Sequence, residues 1–361
     1  DVLKNIPGDE RYFALYQLSS HFRDDWFGLG GSVKLSQRWF IGLAMFASVK
    51  SNEYTNLLNI EAVSLSDSVV ANTGLYQAYA AEFQQHVYLK YNDYRLLFKT
   101  GALYTAEGAS MGISITTPSF GVYSDGKRVT RTEKRNDITD PETGEPVHDY
   151  SISGYKEKDD VSVSNKTPFS IAAGLTLKLP QKRTLYLSAE YFNGINPYKQ
   201  VEAAETHLTN GHSAAGKAYS EWLTFVGGAR PVTNAAAGFS WTLNENLLLM
   251  TGFRTDFNYQ KDVDFSSLGG LEQTQAALIN LYHFAGGLAW KVFGQDVITG
   301  LEYTYGNNRD QKQLVNLSDP VEYIPAENAP LQGIRTNSNQ SHFNSISIYF
   351  GASFNFGGGN L

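Results

Sequence analysis

The side chains of this sequence that could do chemistry are charged residues set within extended, otherwise apolar segments. Strand side chains alternate between two faces, and alternation places six charges opposite the apolar face: Lys99, Lys178, Glu190, Arg254, Lys291 and Glu302. One interpretation is a path for a polar or carboxylate-bearing ligand. The other, which we favour because buried charges are usually paired, is a network of ion pairs that stiffens the interior.

No catalytic or metal-binding arrangement accompanies these charges. The chain has no cysteine, which excludes disulfides, thiolate metal sites and a cysteine nucleophile. We find no nucleophile beside a base, no glycine-rich loop between a strand and a helix, and no Asp/Glu cluster spaced for calcium. His283 is expected to be a lone, hydrogen-bonded residue on the inward face. The sequence therefore predicts a protein that is not an enzyme and has no metal site and no cofactor.

Composition narrows the class of protein. The net charge of −7 and the lack of a basic stripe argue against a nucleic-acid partner. The 22 Tyr, 21 Phe, 5 Trp and 33 Gly, with 18% charged residues, fit a protein of many strands with aromatic girdles and small inward positions. No run approaches the roughly 18 consecutive apolar residues of a spanning helix. In a membrane, the chain would have to form a closed barrel.

Strict alternation identifies the strands. In the last segment Ile346, Ile348 and Phe350 share one face, and Ser345, Ser347 and other small or polar residues share the opposite face. Ten upstream segments repeat the pattern at about the 9–11 residues that cross a bilayer obliquely. The predicted strands are 26–35, 39–48, one within 84–104, 111–118, 169–179, 184–192, 232–243, 247–257, 281–292, 296–305 and 342–356.

The connections between these segments alternate between tight turns and long loops. Bacterial outer-membrane barrels distribute their connections in this way, short on the periplasmic side and long outside. The connection 122–161, rich in charged residues, Gly and Pro, is expected to be a solvated loop. We predict a single all-β domain over residues 1–361, a transmembrane antiparallel β-barrel of the bacterial outer membrane.

The start of the chain leaves two alternatives open. Residues 11–22 suit a short helix or an outer extension of the next strand. With eleven strands, the first would run inward like the last, whereas such barrels normally have an even number of strands and begin in the periplasm. Either residues 11–22 form a twelfth strand, or strands before residue 1 are missing. We favour missing strands, and no leader peptide opens the chain.

Three pairs of segments follow one another in a characteristic order: 27–35 into 39–43, 98–104 into 111–118, and 167–175 before 185–191. In this order they resemble the FadL/TodX family of outer-membrane transporters for long-chain fatty acids and other hydrophobic compounds. The resemblance implies a fourteen-stranded barrel, closed by an N-terminal hatch, that takes a hydrophobic ligand at an outer groove and releases it sideways into the membrane. Nothing before Trp26 resembles the hatch or the first strands.

Apolar residues in the predicted outer segments are candidates for capturing such a ligand, since loops that face water have little reason to gather them. They are Phe13, Leu15, Tyr16, Leu18, Leu75, Tyr76, Tyr79 and Phe83. Leu75, Tyr76, Tyr79 and Phe83 recur at helical spacing. The alternative is that these side chains pack the loops onto one another.

The leading hypothesis is a channel for passive uptake of hydrophobic small molecules, such as long-chain fatty acids. The alternative is a barrel with a plugged lumen that docks another protein or a secretion complex. Outer-membrane lipids and a hydrophobic substrate are the expected partners, with a possible protein partner at the extracellular loops or the periplasmic rim.

Overall fold

A computed structural model of the protein describes residues 2–3, 9–65, 80–147, 150–157, 161–203, 222–260, 273–274, 278–292, 295–311 and 313–353. Within these ranges one 3₁₀ turn (Pro325–Glu327) accompanies twenty strands: β1 (Glu10–Lys34), β2 (Trp39–Ser64), β3 (Ala80–Thr105), β4 (Ala109–Thr116), β5 (Phe120–Asn136), β6 (Ile138–Thr139), β7 (Pro146–Val147), β8 (Tyr150–Glu157), β9 (Val161–Val163), β10 (Ser170–Leu179), β11 (Arg183–Phe192), β12 (Ile195–Ala203), β13 (Phe225–Ala229), β14 (Val232–Asn244), β15 (Leu247–Asp256), β16 (Asn280–Val292), β17 (Gln295–Gln311), β18 (Val321–Ile324), β19 (Ala329–Gln332) and β20 (Asn339–Ser353). No helix among these residues is long and apolar enough to cross a membrane.

Eleven strands form one continuous antiparallel wall in the order β1-β2-β3-β4-β10-β11-β14-β15-β16-β17-β20. Each predicted strand lies largely within one of these eleven. The prediction of an all-β, transmembrane antiparallel barrel of the outer-membrane type is confirmed. Antiparallel pairing satisfies the backbone N–H and C=O groups between neighbouring wall strands, which no lipid could satisfy. Among the described residues, β1 and β20 each pair with one wall strand only.

The outer face of the wall is apolar and exposed, as the alternation predicts. On β2 the outward Leu43 is 61% exposed, whereas Gly42 and Ala44 beside it face inward. On β20 the outward Ile348 is 79% exposed. An apolar face that a folded chain leaves uncovered across a whole sheet is the surface that lipid covers.

Aromatic pairs mark the two borders of this apolar band. Near the turn between β3 and β4, the rings of Trp39 and Tyr104 lie 5.0 Å apart. At the other border, Tyr94 and Tyr123 lie 5.7 Å apart. Tyr94 and Tyr104 are ten residues apart on β3, and ten residues of a strand tilted by roughly 40° rise about 25 Å. That height matches the apolar band of an outer-membrane barrel.

The short turns lie at one end of the wall. Residues 35–38 join β1 to β2, residues 106–108 join β3 to β4, and 180–182 join β10 to β11. Longer connections, several of which carry further strands, leave the opposite end. The predicted segregation of loop lengths is confirmed, and it places the short turns on the periplasmic side. β1 and β20 both run toward the short-turn end.

The outer ends of the first strands extend well beyond the membrane. Residues 11–22 form the outer part of β1 and pair with β2 from Asn52 to Val63. The outer-extension interpretation of 11–22 is therefore the correct one.

The expectation of a solvated loop over 122–161 is wrong. β5 continues β4 after a break at 117–119, pairs with β3, and pairs again with β8. Its charges do not prevent pairing because they pair across strands, as in the ion pair of 2.5 Å between Lys134 of β5 and Glu82 of β3.

The lipid-facing assignment makes a stability prediction. Changing Ile348 to Arg places a cation near the middle of the apolar band and should lower the free energy of unfolding by about 2–4 kcal/mol. Ser347→Arg is the matched control, because Ser347 faces the lumen in register with Glu302. Unfolding by urea in lipid vesicles measures both changes. An equal loss for the two variants would contradict the assignment of faces.

Candidate functional site

The lumen of the wall holds a cavity of about 560 Å³. Register places one row of inward residues side by side across eight strands: Leu103, Gly112, Gly174, Ser188, Ala236, Arg254, His283 and Thr304. All but Thr304 line the cavity. The four small residues between Leu103 and Arg254 leave the space that larger side chains would fill.

A second inward row, nearer the short turns, lines the cavity together with Leu175, Leu187, Ala237 and Phe253, which lie in register between the two rows. It comprises Ser110, Thr176, Tyr186, Gly238, Gly252, Ala285 and Glu302. The ring of Tyr186 lies against Gly238, where an added Cβ would come within 3.6 Å of it. Small residues thus give the cavity its room, and Leu103 and Tyr186 give it apolar surface.

One end of the cavity carries a charged cluster. An Nη2 atom of Arg254 donates to Oε1 of Glu302 at 3.3 Å. Nδ1 of His283 lies 3.2 Å from the same oxygen and 2.9 Å from Oγ1 of Thr304. His283 is hydrogen-bonded on the inward face, as expected, but its partners come from neighbouring strands and no spacing within one strand shows them.

The six predicted lumen charges do not form one path. Arg254 and Glu302 meet in the cluster above. Glu190 accepts a hydrogen bond of 2.7 Å from the Ser170 hydroxyl on β10. The lysines lie elsewhere on the inward face: Lys99 in register with Thr116, and Lys178 and Lys291 near the short turns. A role for these residues in conducting a ligand stays a prediction.

The predicted capture residues are divided between two faces of the outer strands. Phe13 and Leu15 are each 54% exposed on β1. Leu18 packs against one buried cluster and Tyr16 against another, in which Phe83 is itself buried. Leu75, Tyr76 and Tyr79 lie outside the residues that the structure describes. Capture of a ligand at these residues stays a prediction.

A small sheet of three strands, β13-β12-β9, covers the inner face of the wall above the membrane. We call it the inner sheet. It packs Val163, Val201 and Phe225 against Tyr54 of β2 and Leu89 of β3. The rings of Tyr54 and Phe225 meet edge to face at 5.9 Å. The connections after β4 and β11 thus fold back onto the inner face of the wall.

A row of buried charges holds these connections to the wall. Asp24, Lys50 and Asp93 are in register on β1, β2 and β3. The Lys50 ammonium lies 3.6 Å from the Asp24 carboxylate and donates to Oγ1 of Thr167 at 2.9 Å. Asp93 and Lys50 are almost fully buried. Sequence analysis missed this row because it is a property of the register between strands.

Asp93 has the most partners in the row. Its Oδ2 accepts hydrogen bonds from Nη1 of Arg95 at 3.2 Å and from the backbone N–H of Asn165 at 2.7 Å. Arg95 in turn donates from Nε to Oγ of Ser119 at 2.7 Å. The Asp93–Arg95 pair thereby fixes both the 117–119 break and the segment that leads into β10.

The outermost part of the wall has its own buried contacts. The Tyr12 hydroxyl donates to the carbonyl oxygen of Leu331 on β19 at 2.8 Å, and burial raises the pKa of Tyr12 to about 12. Arg135 of β5 donates to Oδ1 of Asn328 at 2.9 Å. The connection between β17 and β20 therefore packs on β1 and β5.

Comparison with known proteins finds structural neighbours only. No protein-family model and no curated protein matches the sequence. The structure is similar to a Pseudomonas aeruginosa FadL homologue, with 12% identity, a TM-score of 0.45, and coverage of 92% of this chain and 68% of that one. It is also similar to the toluene transporter TodX of Pseudomonas putida, with 11% identity, a TM-score of 0.39, and coverage of 98% and 91%. The FadL and TodX types that the sequence resembles are thus among its structural neighbours.

The Asp93 contacts predict a local effect on folding. Asp93→Ala leaves the buried Arg95 without its carboxylate, which costs about 3–5 kcal/mol. The Asn165 amide, which donates to Asp93, should then exchange with deuterium at least about a hundredfold faster, as measured by mass spectrometry of peptides covering 164–170. Glu53→Gln is the control, because it removes an exposed ion pair of 2.6 Å with Lys90, of a kind worth less than about 1 kcal/mol. Unchanged protection of Asn165 in Asp93→Ala would show that the pair does not hold this segment.

Proposed function

We propose that the barrel takes up hydrophobic small molecules, long-chain fatty acids among them, passively across the outer membrane through its lumen. The observation that carries the proposal is the cavity bounded by two inward rows of mostly small residues, with Leu103 and Tyr186 on its surface. A porin for polar solutes would have a lumen rich in charge. Here, in the described part of the chain, ionised groups border one end of the cavity only.

The physical basis of such uptake is burial of apolar surface. Removing apolar surface from water contributes about 25 cal/mol per Å², so an apolar molecule gains free energy by entering a lumen of this kind. The same molecule must leave again, which is easier when the cavity wall offers few polar contacts. No source of energy other than the concentration gradient is needed.

The long outer part of β1 favours a second candidate function, docking of a partner protein. Phe13 and Leu15 lie about ten residues beyond the outer girdle and are both exposed. Apolar side chains in water at such a distance from lipid suit a protein interface. Docking does not require an open cavity. Filling the lumen should therefore block uptake and leave docking unchanged.

Ser188→Trp tests uptake through the lumen. Ser188 is in register with Gly174 and Ala236, so a Trp at this position projects into the cavity between two small residues. In Gram-negative cells whose other transporters for hydrophobic compounds are deleted, uptake of radiolabelled oleate and of radiolabelled hexylbenzene should fall at least tenfold.

Ala189→Trp is the matched control. Ala189 follows Ser188 on β11, faces lipid by alternation and is not among the residues that line the cavity, so the same side chain enters the membrane and leaves the cavity open. Uptake should stay near the unmodified rate. If Ser188→Trp inserts normally and uptake also stays normal, the lumen route is wrong and docking becomes the better account.

A further inference from the structure

The charged groups at the cavity cancel one another. Among the described residues that line the cavity, Arg254 and Glu302 are the cation and the anion, and they form an ion pair of 3.3 Å. The Glu302 side chain is only 14% exposed, whereas that of Arg254 is 52% exposed toward the lumen. An anionic ligand that approaches the guanidinium therefore meets a cation whose charge is already balanced.

His283 supplies a polar atom without a partner at the same place. Its Nδ1 atom is occupied by Thr304, Glu302 and Arg254. Its Nε2 atom is buried and has no hydrogen-bond partner in the described structure, and the side chain is 8% exposed. Buried polar atoms without a partner are rare and call for an explanation such as a bound group.

The chemistry of that group follows from the two imidazole tautomers. If Nδ1 carries the proton, Nε2 accepts a hydrogen bond; if Nδ1 accepts from Thr304 or Arg254, Nε2 donates one. A hydroxyl group satisfies either case, since it both donates and accepts. A carboxylate can only accept and a hydrocarbon does neither, so an O–H group suits this site best.

We propose that the cavity selects uncharged apolar molecules that carry one O–H group, namely alcohols, phenols and the protonated form of fatty acids. The O–H oxygen accepts a hydrogen bond from an N–H of Arg254, and the O–H group pairs with Nε2 of His283 once the side chains that cover this atom move aside. The apolar part lies along the small residues toward Leu103. This inference rests on the proposed uptake function and names the substrate class of the same cavity.

Three probes with the same hexyl tail test the selection: 4-hexylphenol, hexylbenzene and 4-hexylbenzoate. Binding of the tritiated probes to the full chain in lipid nanodiscs is measured at pH 8, where the benzoate is ionised, with partition into empty nanodiscs subtracted. The phenol should bind at least about tenfold more tightly than either of the others, as expected for one net hydrogen bond. Equal binding of phenol and hydrocarbon, or tighter binding of benzoate, overturns the selection.

Two variants assign the selection to the cluster. His283→Phe keeps an aromatic ring but removes Nε2, so the phenol should lose its advantage of about tenfold while hexylbenzene binds as before. Glu302→Gln keeps the size of the side chain but leaves Arg254 uncompensated, so 4-hexylbenzoate should gain about tenfold. If the cluster only stabilised the fold, Glu302→Gln would not tighten the binding of 4-hexylbenzoate. The absence of that gain in folded Glu302→Gln contradicts the charge-balance argument.

Failure of this inference differs from failure of the proposed function. If all three probes bind equally and Ser188→Trp abolishes their binding, the selection is wrong and uptake through the lumen stands. If no probe binds in the lumen, or Ser188→Trp changes the binding of none of them, both are wrong.

Discussion

The structure depends on one constraint, which is that every backbone N–H and C=O group within a bilayer needs a partner from the protein itself. Antiparallel pairing meets it and forces side chains to alternate between lipid and lumen. The lipid face must then be apolar, and Leu43 and Ile348 show the result. The lumen face is free of that demand, so it can carry glycine, serine, histidine and charge.

The register between strands brings lumen-facing residues of different strands together into one site. Residues far apart in sequence, such as Gly112, Ser188 and Arg254, become neighbours in one inward row because each strand pairs with the next without a shift at this level. A run of small residues along the row makes a cavity, and Glu302 from the next row balances Arg254. The cavity thus combines apolar room with a polar end of zero net charge, which suits a neutral amphiphile better than an ion.

The sequence was sufficient to predict the wall because alternation is a local property of each strand. All eleven wall strands and their short turns were predicted in this way. Contacts between side chains of different strands could not be predicted, because they depend on which strands are neighbours and in what register. Alternation placed His283 on the inward face but could not show Glu302 beside it, and nothing near Asp93 in sequence pointed to Lys50 or Asn165. The inner sheet lies in stretches that the strand prediction left as connections between wall strands, since its strands are short and β12 pairs with distant parts of the chain.

The most direct test of the account is a structure of the full protein in lipid nanodiscs, determined after soaking with a brominated alkylphenol. The account predicts bromine or ring density inside the wall, between Leu103 and Arg254, with the oxygen beside His283. Density confined to the lipid face of the strands, or to the exposed surface around Phe13 and Leu15, would contradict it and would show that hydrophobic molecules do not use the lumen.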